Sequence, residues 1–100
     1  MRYLVISMAE LQDVEDLERG LELRLKAAEA IKKLYKPDAL YFLADKIGLC
    51  FIVNLESVQK LSEVLVLLSR AGLHAESIPL LDINEMQKLM ADMANPDLIL

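Results

Sequence analysis

A chain of 100 residues, 55% hydrophobic and 5% aromatic, with 16 acids against 11 bases and a formal charge of −5, has room for one small domain and lacks the basic surface that a nucleic-acid backbone requires. Its single cysteine, Cys50, excludes an internal disulfide and suits a reducing compartment. With one histidine beside it, His74, no ligand pair stands at zinc spacing, and neither a metal nor a cofactor is expected.

Tyr3 to Met8 is short and apolar at nearly every position, which predicts a central strand covered on both faces. It is too short for the apolar core of a signal peptide, and no apolar run, Val64 to Leu68 among them, approaches a membrane span. A cytoplasmic protein is the reading. From about Val14 to Tyr35 the apolar positions Val14, Leu17, Leu21, Leu25, Ala28, Ile31 and Tyr35 recur every three or four residues and predict a long helix. Asp13 stands as its N-cap, acids Glu15, Asp16 and Glu18 near its start, Lys32, Lys33 and Lys36 near its end, and Pro37 stops it.

Two strands follow, Ala39 to Asp45 and Leu49 to Leu55. A two-residue Ile47-Gly48 turn with a positive φ at Gly48 would set Asp45 opposite Cys50, Leu43 opposite Ile52 and Tyr41 opposite Asn54. One face then carries Tyr41, Leu43, Asp45, Cys50, Ile52 and Asn54. The other, with Leu40, Phe42, Ala44, Phe51, Val53 and Leu55, is wholly apolar and should meet the helices. Ser57 caps a second helix with Val58, Leu61, Leu65 and Leu68 inward, and Gly72 ends it. Glu76 to Leu81 reads as a fourth strand, placed at an edge by Pro79. Ile83 to Met93 is a short amphipathic helix whose Met86, Leu89, Met90 and Met93 read as a packing face or an adaptable partner surface, and the apolar tail Leu98 to Leu100 must dock somewhere.

The order βαββαβ with a C-terminal helix is the ferredoxin-like split unit. With the strand Phe51-Ile52-Val53-Asn54-Leu55 running into Ser57-Val58-Gln59-Lys60-Leu61, the chain resembles the dimeric α+β barrel superfamily and is similar in layout to its muconolactone isomerase-like members. The resemblance implies one α+β domain over residues 1–100 with a four-stranded antiparallel sheet, a homodimer or higher homo-oligomer, and a ligand pocket between sheet and helices. Tyr41, Asp45, Cys50 and Asn54 would face that pocket, with Tyr3 and Ser7 from the first strand. No catalytic set transfers with it.

Asp45 and His74 are the acid/base candidates, since a carboxylate beside an apolar cavity or a near-neutral imidazole can move a proton. Each also has a plain role, Asp45 as a solvated turn residue and His74 as a loop residue past a helix. Cys50 has no basic neighbour in sequence to make it reactive. Three readings follow: a homodimeric module binding a small apolar or aromatic molecule, a cofactor-independent isomerase or monooxygenase acting on small cyclic or aromatic compounds, and a structural oligomeric domain with no pocket. Whether the chain is an enzyme stays open at this stage.

Overall fold

The computed structural model describes residues 1–9, 17–44 and 46–94, with the backbone alone at 17–19. Strand β1 spans Arg2–Met8, helix α1 Leu17–Tyr35, β2 Ala39–Phe42, β3 Gly48–Asn54, α2 Val58–Arg70, β4 His74–Leu80 and α3 Ile83–Met93. The strands form one antiparallel sheet in the order β2-β3-β1-β4. Its outer strands, β2 and β4, do not pair with each other, so the sheet is open. This corrects the barrel that the family resemblance implied: four short strands end in two free edges and never close on themselves.

Alternation along the strands sends one set of side chains toward α1 and α2. Tyr3, Val5 and Ser7 of β1 lie across from Val53, Phe51 and Leu49 of β3. They meet Ala27 and Ile31 of α1, Val64 and Leu68 of α2, and Leu73. Val5, Ile31, Leu49, Val53, Val64 and Leu68 are wholly buried, and a core side chain of this size contributes about 1.5–3 kcal/mol. The one hydroxyl among them, Ser7 Oγ, donates to the Leu49 carbonyl at 2.9 Å, as a buried polar group must. A ligand pocket between sheet and helices is therefore a second expectation to correct, because that space is occupied by the packed core.

Local chemistry explains the element ends. Lys36, at φ 46, turns the chain out of α1 just before Pro37. Ser57 accepts the Lys60 N–H at 3.2 Å and starts α2. At the other end of α2, Gly72 takes φ 77, its N–H reaches the Ser69 carbonyl, and the Leu73 N–H reaches the Leu68 carbonyl, both at 3.0 Å. That is the Schellman arrangement, with the buried pair Leu68 and Leu73 as its hydrophobic contact.

Between β2 and β3 the expected register does not hold. Tyr41, not Asp45, faces Cys50, and Ala39 faces Ile52. The connection is longer than two residues and is closed by the Leu43 N–H on the Gly48 carbonyl at 3.0 Å. Gly48 is a strand residue opposite Met8. It is glycine because a Cβ there would run into the Ser7 carbonyl oxygen and the Cα of Met8. The shift is an even number of residues, so the paired residues Ala39 to Phe42 keep their predicted faces.

Helix α3 stands apart. None of its residues is buried, and the molecule measures 56 × 27 × 24 Å with a radius of gyration of 16.7 Å, against about 13 Å for a compact chain of this length. Among the described residues, no helix is long and apolar enough to cross a membrane.

Candidate functional site

Among the described residues, no element covers the face of the sheet turned away from α1 and α2, contrary to the expectation that β1 is covered on both sides. Strand pairing arranges its residues in rows across the sheet. Ala39, Ile52, Leu4 and Ile78 form one row through all four strands, wholly apolar. Tyr41, Cys50, Ile6 and Glu76 form the next. Asn54, Arg2 and Leu80 bound the patch at one end, and Gly48, Met8 and His74 at the other. Adjacent strands lie about 4.8 Å apart, so the first row is a continuous apolar strip about 14 Å wide, which the second row doubles over three strands before ending in Glu76 on β4. Tyr41, 64% exposed, and Ile78 stand clear of the surface, while Leu4, Ile6, Cys50 and Ile52 are half-buried by their neighbours in the sheet.

Two depressions bracket the strip. One, of about 380 Å³, is lined by Arg2, Asp38, Ile52, Leu80, Leu81, Asp82 and Glu85. The other, of about 430 Å³, lies at the far end beside Ile6, Met8, His74 and Glu76. The Arg2 and Asp38 side chains pair at 3.4 Å on the rim of the first. Both are well exposed, so this pair contributes at most about 1 kcal/mol.

The second half of the site is α3. Asp82 accepts the Glu85 N–H at 2.7 Å, and the Glu85 carboxylate accepts the Asp82 N–H at 3.2 Å. This capping box gives an 11-residue helix a firm start only two residues after β4 ends. Ile83, Met86, Leu89, Met90 and Met93 fall on one side at helical spacing, and all five are exposed, Ile83 at 76% and Met90 at 63%. An apolar stripe of this kind ordinarily faces a core. Here it faces none.

The residues singled out from sequence divide between two faces. Tyr41, Cys50 and Asn54 lie on the bare face, while Tyr3 and Ser7 point to the helix side, Ser7 fully buried. His74 is not in a loop but opens β4, opposite Met8. Asp45 lies outside the described residues, as does the apolar tail Leu98 to Leu100. Sequence reasoning missed Leu4, Ile6 and Ile78, because an all-apolar β1 does not reveal which of its faces is covered. Glu76, alternating with Ala75 and Ser77, was the available sign that one face of β4 is open. Among the described residues no three His, Cys, Asp or Glu side chains gather closely enough to hold a metal ion.

Compared with known proteins, the chain matches no family model and no curated protein. The resemblance to the dimeric α+β barrel superfamily is corrected on both grounds, the missing family match and the open sheet. With it goes the reading of a barrel protein that holds a small apolar or aromatic ligand, and with the barrel pocket goes the setting proposed for isomerase or monooxygenase chemistry.

Proposed function

We propose that this protein is an association module in which α3 of one copy lies across the bare sheet face of a second copy, and the second copy returns the contact. The observation that carries this reading is the coexistence, in one chain, of a capped amphipathic helix with no buried residue and an apolar sheet face that no other described element covers. The sheet edges offer poorer routes to association. β2 has only four residues, and β4 carries Pro79 and Glu76, devices that discourage strand addition.

A second copy suits the strip better than the chain's own helix does. The two-residue link Leu81-Asp82 and the reciprocal cap hold α3 away from the body, and returning it to its own sheet would require that start to be rebuilt. Two-fold exchange also makes each contact twice. Five large apolar residues from α3 and the two central rows of the strip, met by the same set from the partner, provide the core of an interface on the scale of the roughly 800 Å² per partner that stable complexes bury. Tyr41 and Cys50 would lie under the partner helix. The lone thiol suits a cytoplasmic setting.

Sedimentation equilibrium at micromolar concentration is the test. A dimer is expected, and Met90→Glu on the helix and Ile78→Glu on the sheet should each weaken it at least tenfold, since a charge placed in an apolar contact costs more than about 1.4 kcal/mol. A wild-type monomer overturns the proposal. In that case small-angle scattering reports whether α3 has folded onto its own sheet, which would bring the radius of gyration toward about 13 Å.

A further inference from the structure

Arg24 of α1 is 4% exposed, and among the described residues neither its Nε nor its Nη1 has a hydrogen-bond partner. Two of the chain's three glycines stand against it. Gly20 lies one turn earlier on the same helix, where any Cβ would collide with the guanidinium, and Gly72 lies beyond the end of α2, where a Cβ would come within 3.8 Å of Nη2. The missing side chain at Gly20 leaves the room that the guanidinium takes up, while a Cβ at Gly72 would only touch it in ordinary van der Waals contact.

Among the described residues no backbone carbonyl accepts from Nε or Nη1. The Leu67, Leu68 and Ser69 carbonyls at the end of α2 already accept the N–H groups of Ala71, Gly72 and Leu73. The negative end of the α2 dipole lies on this side and favours a cation, but it supplies no acceptor atom to the open donors. A buried guanidinium left without partners costs several kcal/mol, and arginine cannot shed its charge. Each of its two-toothed edges includes one of the open donors, Nε on the side edge and Nη1 on the end edge, with Nη2 common to both. That fork matches two oxygens of a carboxylate or a phosphate.

We infer that Arg24, set between Gly20 and Gly72, is the receptor for a small oxyanion that enters past the exposed Gly72 turn and accepts from Nη2 and one of the two open donors. The site is on the helix side of the sheet and does not depend on the association proposed above.

Thermal unfolding of the intact protein tests it, with inorganic phosphate and acetate each compared against sodium chloride at equal ionic strength. Phosphate at millimolar concentration should raise the melting temperature by about 5 °C. An equal rise with acetate identifies a site for carboxylates generally, and a rise with phosphate alone identifies a phosphate site. Arg24→Met should abolish the response while melting no lower than wild type in chloride, because an apolar isostere relieves the unpaired charge. Identical melting in all three salts, or a phosphate response that survives in Arg24→Met, overturns the inference. Should Arg24→Met fail to fold, a phosphorus NMR titration of the wild type and Arg24→Lys decides the matter. Saturable broadening that weakens at least tenfold in the lysine variant supports the site, and no saturable change overturns it.

Discussion

Tyr35 closes α1 half-buried against the core, and burial first, then the Glu63 carboxylate to which it is hydrogen-bonded, raise its phenol above the ordinary 10.0, with Lys60 pulling the other way. A phenol that holds its proton more tightly folded than unfolded adds stability in full below pH 10, and that stability is lost as the pH climbs through the raised value. Tyr35→Phe should therefore lose less stability than the wild type as the pH rises from 9 to 11, because the Tyr35 contribution to the decline is gone; chemical denaturation at stepped pH is the measurement. Gly48 shows at this scale what a sequence conceals. Its glycine is legible as a place where a side chain is not tolerated, but two causes produce that signal, a backbone of positive φ and a neighbour too close for a Cβ. Only the approach of β1 at Ser7 and Met8 distinguishes them. The same ambiguity hid the Arg24 niche, since a glycine such as Gly20 within a helix ordinarily only weakens it.

Among elements, those whose ends are written in local chemistry were the most legible. The spacing of Ile83 to Met93 predicts α3 with the ends it has, and Ser57 and Gly72 mark the limits of α2 through a cap and a Schellman turn. β2 was read too long because Leu43 and Ala44 are as apolar as the residues before them. Apolarity says nothing about where a neighbouring strand stops offering hydrogen bonds. The α3 cap yields a prediction: Asp82→Ala removes the acceptor for the Glu85 N–H and should cost about 1 kcal/mol. In a helix with no tertiary packing of its own, that loss should appear as reduced helical signal in circular dichroism on dilution, where any partner dissociates, and less so in concentrated protein.

For the molecule as a whole, the hydrophobic share of 55% was legible, more than one small core absorbs, and so was the separation of the β2–β3 pair into two faces. The location of the surplus was not, because it depends on the strand order β2-β3-β1-β4, which brings Leu4 between Ile52 and Ile78 although the three are far apart in the chain. Closure of a sheet is likewise a property of all its strands together, and no stretch of residues encodes it. What α3 leaves in the open is in good part sulfur. Met86, Met90 and Met93 line the outer stripe of α3, and peroxide reaches exposed thioethers readily, turning each into a polar sulfoxide. Mild treatment should modify these three together with the exposed Met1 and Met8 and, by wetting the stripe, separate the copies, and a methionine sulfoxide reductase should bring them back together. Mass spectrometry of the C-terminal peptide, read beside the sedimentation profile, would show oxidation and dissociation rising in step.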